Sequence, residues 1–364
     1  MTPWYLPVLG AGLGLVLVAW AVAAFYLDGA DLARYDTDRG ERFASHRPAS
    51  PGLDDAMARL ARAEPPAGLP EAQRLPLRRG LFDRLFSERV FAASFTPVAV
   101  DGVKGEWVLA PGADPQRRTL YLHGGGFVVG SPLSHRTITS RFSALTGGAV
   151  LALDYRLMPE HKRMAPVEDA RLAYRWMLEH GPAGRAPAQA VFVAGDSAGA
   201  NLTLSLLAWA RDQGLRNADA AVVLSPPTDA TFASPSIQAN LDSDLMLGPV
   251  FRKIAHIPRA VVLWINWLQS GIRPCDPLVS PVYGDLSRLP PLLVQVSETE
   301  MLYDDARRYV NRAREAGSPA RLQSWNHTLH VWHIFNPELP EAEEAYAEIG
   351  KFLADEAPQR KAAP

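Results

Sequence analysis

The chain has 364 residues, of which 48% are hydrophobic and 21% charged. That length and composition supply a large core without staples, and a single cysteine, Cys275, excludes an intrachain disulfide framework. A formal charge of −2 offers no electrostatic footprint for nucleic acid.

In chain order, the first feature is an uncharged run over residues 4–27. As a helix it is long enough to cross roughly 30 Å of hydrocarbon. Trp4, Tyr5, Phe25 and Tyr26 stand at its two ends, as in aromatic belts. Residues 1–27 are therefore predicted to form a single-pass anchor in a bacterial inner membrane, with the lipid bilayer as partner. A cleaved signal peptide is the competing reading. Ala21-Val22-Ala23 fits a cleavage site, but no basic stretch precedes the run. Arg34, Arg39 and Arg42 follow it and favour a cytoplasmic body, although acids intermixed with them leave the orientation open. Residues 28–94 read as helical pieces broken by Pro48, Pro51, Pro65, Pro66 and Pro70.

Thr119-Leu120-Tyr121-Leu122 reads as a buried strand and runs into His123-Gly124-Gly125-Gly126-Phe127. Consecutive glycines let a backbone present its amide hydrogens at close range. Such donors suit an oxygen that develops negative charge. A phosphate loop would continue with Gly-Lys-Ser/Thr, which is absent here. A second strand, residues 149–153, closes in Asp154-Tyr155-Arg156. Pro159-Glu160-His161 is then expected to form a tight turn bracing the glycine loop, and Glu168 and Asp169 to begin a helix through Ala173, Trp176 and Met177.

Val191-Phe192-Val193 leads into Gly195-Asp196-Ser197-Ala198-Gly199, and a helical pattern follows to Arg211. Strand, glycine-flanked serine and helix form the context of a nucleophile elbow, in which a strained turn exposes the hydroxyl. The predicted oxyanion-hole donors are the N–H groups of Gly125, Gly126 and Ala198. His123, Gly124 and Asp196 are expected to support them.

Farther on, residues 260–268 are apolar on nearly all sides, so they must be buried, line an apolar pocket or touch lipid. The buried run of residues 292–296 ends among Glu298, Glu300, Asp304 and Asp305. A serine nucleophile needs a base and an orienting carboxylate, in the order Ser, Asp/Glu, His for this arrangement. Spacing alone does not choose among the four acids. His327, His330 and His333 follow. Their regular spacing raises a metal site, but no cysteine or carboxylate ligand pattern accompanies them. Cys275 has no glycine elbow and is a poor nucleophile candidate.

Taken together, His123-Gly124-Gly125-Gly126, Asp154-Tyr155-Arg156-Leu157-Met158-Pro159-Glu160-His161, Gly195-Asp196-Ser197-Ala198-Gly199, Asp276-Pro277-Leu278 and His330-Val331-Trp332-His333 resemble the hormone-sensitive-lipase-like branch of the α/β-hydrolases, the bacterial family IV esterases. The resemblance covers roughly residues 95–353. It implies an α/β fold: a mostly parallel central sheet with helices on both faces and a helical cap. The core would comprise residues 95–228 and 276–357, and the cap residues 28–94 and an insertion at 229–275. Registering Glu300-Met301-Leu302-Tyr303-Asp304 on the family's Asp-Pro-Leu-x-Asp pattern points to Glu300 as the triad acid. The same resemblance places the base at His330 and makes His333 structural, with His327 standing where the family has glycine. The implied activity is hydrolysis of short- to medium-chain acyl esters through an acyl-enzyme, with no cofactor. An arylacetamide-deacetylase-like amide hydrolase is the alternative. A non-catalytic receptor on the same fold is more remote, because such receptors lose the triad histidine.

Overall fold

A computed structural model describes residues 5–44 and 50–357; Trp4 and Pro48 lie outside them. The chain opens on α1 (Tyr5–Val22) and a π-helical turn, Ala23–Leu27. A short strand, β1 (Glu41–Phe43), precedes α2 (Leu53–Arg62) and α3 (Glu71–Asp83). The hairpin β2 (Ser94–Val100) and β3 (Val103–Leu109) turns at Asp101-Gly102, both at positive φ, the conformation an Asp-Gly turn favours.

Alternation of strand and helix then takes over. It runs through β4 (Asp114–Leu122), α4 (Arg136–Thr146), β5 (Gly148–Asp154) and α5 (Met164–Glu179). A two-stranded ribbon, β6 (His180–Gly181) and β7 (Gly184–Arg185), leads to β8 (Ala190–Asp196), α6 (Ala198–Asp212) and β9 (Ala220–Leu224). The insertion carries α7 (Ser236–Ala239), α8 (Gly248–Phe251) and α9 (Arg259–Ser270). The chain finishes on β10 (Leu292–Ser297), α10 (Tyr303–Glu315), β11 (Ala320–Trp325) and α11 (Pro340–Glu356).

Among the described residues nine strands form one sheet in the order β1-β11-β10-β9-β8-β4-β5-β3-β2. Pairing is parallel from β1 to β5, as helical crossovers require, and antiparallel only where β3 meets β5 and β2. Alternate side chains serve opposite faces. Leu120, Leu122, Val191 and Val193 enter one core with Tyr174, Leu204 and Val310, whereas Tyr121 and Phe192 enter another with Phe142, Trp332 and Tyr346. The α/β-hydrolase architecture expected from the motifs is therefore the one observed.

The membrane anchor is a correction. Among the described residues no helix is long and apolar enough to cross a membrane. The regular part of α1 has 18 residues and runs directly into the π-helical turn. Its continuation is held by protein instead. Ala23 and Leu27 are fully buried against Leu263 of α9, with Trp264 and Trp267 alongside, and Trp264 Nε1 donates to the Ala19 carbonyl at 3.0 Å. Side chains from Leu13 to Trp20 are exposed. The reading of an anchor with the bilayer as partner does not survive, because the end of the apolar run docks on α9.

Residues 28–94 also differ from a purely helical cap. Glu41–Phe43 joins the sheet beside β11, where Phe43 stacks on Trp325 with centroids 4.3 Å apart. Ala56, Ala63, Leu85 and Phe86 are buried in the core with Phe335 and Leu339. The apolar segment at 260–268 is α9, but it buries only Val262 and Leu263, and Leu268 is 74% exposed. Its apolar character is used on one side, against the π-helical turn.

Candidate active site

Strand β8 ends at Asp196, and α6 begins at Ala198. Between them Ser197 sits at φ 48°, ψ −120°, a backbone conformation rarely adopted by a residue with a side chain. Such strain is expected where a hydroxyl must stand clear of its own strand. The flanking glycines are required by close approach: a Cβ on Gly199 would collide with the Leu122 carbonyl, and one on Gly195 would lie 2.6 Å from the Gly199 carbonyl oxygen.

Opposite Ser197, the loop after β11 carries His330. Its Nε2 is 2.9 Å from Ser197 Oγ. On the other side of the ring, Nδ1 lies 3.5 Å from Glu300 Oε2, longer than a well-formed hydrogen bond. Glu300 follows β10 and is 1% exposed. Ser225, at φ 52° just after β9, donates to Glu300 Oε2 at 2.9 Å, and its Oγ accepts the Val331 amide at 3.1 Å. One hydroxyl therefore ties the acid to the histidine loop.

The glycine loop turns through positive φ at Gly125 (111°), Gly126 (61°) and Phe127 (65°). Asp196 anchors its base: Oδ1 accepts the Tyr121 hydroxyl at 2.6 Å and the Gly124 amide at 3.0 Å. Asp196 Oδ2 lies 3.4 Å from His135 Nε2. A Cβ on Gly124 would strike the same carboxylate. Behind the loop, His123 stacks on Tyr155, whose hydroxyl donates to the His123 carbonyl at 2.7 Å. The Met158 amide donates to the Phe127 carbonyl at 2.8 Å. Arg79 of α3 donates to the carbonyls of Val128 and Met158 and pairs with Glu160, bracing the loop from outside. The Ala198 amide opens α6, where first-turn N–H groups have no intrahelical acceptor.

Electrostatics follow from burial and pairing. Burial, the largest single influence, works to lower the His330 pKa, but the charge and contact of Glu300 together with the charges of Asp244 and Asp196 leave it raised above 6.5. Burial pushes the Glu300 carboxyl up, with the imidazole pulling back. Burial also opposes ionisation of Asp196, yet His135 and Tyr121 hold its pKa below the usual value. His123 is driven down to about 3, chiefly by burial, so it stands neutral behind the loop.

Comparison with known proteins agrees with this geometry. A family model described as the alpha/beta hydrolase fold matches residues 119–334. An acetyl-hydrolase of Streptomyces hygroscopicus is 41% identical over 257 residues, 70% of this chain and 81% of that protein. A crystal structure of an esterase from the bacterial hormone-sensitive lipase family superposes with a TM-score of 0.72 at 38% identity, covering 85% of this chain and 99% of that one. The chain belongs to the α/β-hydrolases, in the hormone-sensitive-lipase family of bacterial esterases. Its activity is carboxylic ester hydrolysis. The carboxylesterase/phospholipase LipF of Mycobacterium tuberculosis, 33% identical over 290 residues, covers 77% of this chain and 75% of its own. The crystal structure of EstE5 soaked by p-nitrophenyl butyrate has a TM-score of 0.72 at 35% identity, over 85% of this esterase and 99% of that chain.

Within this esterase the four candidate acids separate cleanly. Glu298 is held by Arg42 and Ser324. Asp304 accepts the Ser236 amide and pairs with Arg307. Asp305 accepts the amides of Thr228 and Asp229. Glu300 alone of the four faces His330. The three histidines also part company. His333 Nε2 meets Gln295 Oε1 at 2.8 Å in the core, His330 meets Ser197, and His327 is half-buried on the intervening loop. Sequence reasoning missed Ser225, His135 and Arg79. Ser225 had a usable signal, since it ends a parallel strand at the carboxyl edge where ligands gather in such sheets. Arg79 and His135 had none, because only the folded chain brings them to the loop.

Proposed function

We propose that Ser197, His330 and Glu300 form the catalytic triad of this esterase and that the amides of Gly125, Gly126 and Ala198 form its oxyanion hole. Ser197 Oγ attacks the ester carbonyl carbon, and His330 Nε2 takes the hydroxyl proton. The carbonyl oxygen becomes an oxyanion directed at the three amides. Collapse expels the alcohol, which takes the proton from His330 and leaves an acyl-serine. Water, deprotonated by His330, repeats the sequence and releases the carboxylic acid. Glu300 orients His330 and stabilises its charged form. Asp196 and His123 keep the glycine loop in place.

The observation that carries this reading is the 2.9 Å contact between Ser197 Oγ and His330 Nε2, backed by buried Glu300. Short- to medium-chain acyl groups are the proposed substrates. Support comes from the acetyl-hydrolase relative, from p-nitrophenyl butyrate applied to a similar esterase, and from the insertion at residues 229–275, read as a cap that limits access to an oil interface. A series of p-nitrophenyl esters from acetate to palmitate tests this. Turnover should peak at short or medium chains, and a steady rise to palmitate would overturn it. An organophosphate should label Ser197 in the parent protein and nothing in Ser197→Ala.

A further inference from the structure

The loop bearing Glu300 is held by the insertion as well as by the sheet. Asn240 Nδ2 donates to the carbonyls of Glu298 (2.9 Å) and Glu300 (2.8 Å). Ser243 Oγ donates to the Thr299 carbonyl at 3.0 Å, and Ser236 Oγ to the Met301 carbonyl at 2.7 Å. Asp244 completes the clamp. Its Oδ2 accepts the Met301 amide at 2.8 Å, while Oδ1 accepts the amides of Met246 (3.0 Å) and Leu247 (2.8 Å). Asp244 is only 3% exposed.

We propose that Asp244 is a positioning residue for catalysis: from the cap insertion it fixes the backbone of the Glu300 loop and places a second negative charge behind the Glu300–His330 pair. This rests on the triad assignment above. A carboxylate placed only to cap the Met246–Leu247 turn would not need to reach the residue after the triad acid. Asp244 does both, so the geometry of the acid depends on the insertion being in place. Its charge adds to the forces that raise both partners, after burial and their mutual interaction. The other charged groups around the pair are accounted for. Asp196 faces His330 from the end of β8, Glu298 is neutralised by Arg42, and Asp304 by Arg307.

The test compares Asp244→Asn, Asn240→Ala and Glu300→Gln on a soluble butyrate ester, with pH profiles of kcat/KM, separate kcat and KM, and melting temperatures. Asp244→Asn removes the charge and one of the two acceptor oxygens at nearly constant shape. Its kcat should fall about ten-fold with KM within about three-fold. The acid limb should move to lower pH by roughly half a unit, because the imidazolium has lost a stabilising neighbour. Asn240→Ala keeps the charge but frees two carbonyls, so kcat should fall several-fold with the limb in place. An unmoved limb in Asp244→Asn, or wild-type kcat in both variants, overturns the proposal. Should Asp244→Asn fail to fold, the pH-dependent rate of Ser197 phosphylation in Asn240→Ala decides: a slowed rate at unchanged melting supports the clamp, and a wild-type rate overturns it. Glu300→Gln separates the two levels. Near-normal activity there defeats the triad reading itself, whereas an inactive Glu300→Gln beside a wild-type Asp244→Asn defeats only the clamp.

Discussion

The two sides of the catalytic centre are built differently. The nucleophile side belongs to the core: Ser197 hangs between β8 and α6, and the glycine loop is pinned by Asp196, Tyr121 and Tyr155, all buried among sheet residues. The acid side leans on a segment outside the repeating strand–helix pattern, since Asn240, Ser243 and Asp244 hold the loop that presents Glu300. The half that must carry strain is placed where the chain is least able to move. The half proposed to orient His330 is entrusted to the insertion.

The sharpest break of the nucleophile side is Ser197→Ala, which should reduce ester turnover by roughly 10⁴-fold or more, measured by burst-free steady-state kinetics. On the acid side, Glu300→Gln should cost about 10²- to 10⁴-fold while Asp304→Asn costs little activity and more melting temperature. The reverse ranking would show that the register of the acid is wrong. Asp196→Asn attacks the support of the oxyanion loop rather than a reacting group. It should lower kcat by about 10²-fold with a small change in KM, the signature of lost transition-state binding.

Two smaller effects concern pH. In the proposed triad neutral His330 acts as the base, so kcat/KM should rise with pH through its raised pKa, above 6.5. The stability that its protonation contributes is complete below 6.5 and is lost over that same rise, because the folded value exceeds the unfolded one. Calorimetry should find this contribution absent in His330→Ala. Asp305 gives a second pH signal. Burial, and then the neighbouring Asp229, push its carboxyl up to about 7 from 3.8, so the folded state holds its proton more tightly. Its contribution to stability is present at low pH and should decline between about pH 4 and 7. Asp305→Asn should flatten that slope.

Legibility in the sequence followed the same division. Ser197 and the glycine loop were readable because strained turns and close backbone contact restrict residue type, and that restriction leaves a local pattern. His330 and Glu300 emerged only from a family register, since four acids crowd the same strand end and local spacing treats them alike. Asp244 and Ser225 carried no periodicity at all. One sits in an irregular insertion and the other before two prolines, and their roles are set by residues 57 and 75 positions away. The apolar run at the N-terminus misled for a related reason. Hydropathy records that a segment avoids water, and it does not record that its last residues, Ala23 and Leu27, pack on α9.

The three-residue strand β1 has a consequence for what the sheet can become. Strand β11 would otherwise present a six-residue row of unpaired amides and carbonyls, a template on which another chain could grow. Glu41–Phe43 fills half of that row, and Phe43 covers the face of Trp325. At the far edge β2 carries Pro97, which has no N–H to offer. The sheet is thus blunted against extension by quite different devices at its two margins. A shortened chain beginning after Phe43 would keep its catalytic groups yet expose β11, and its hazard would be strand-to-strand self-association rather than loss of chemistry.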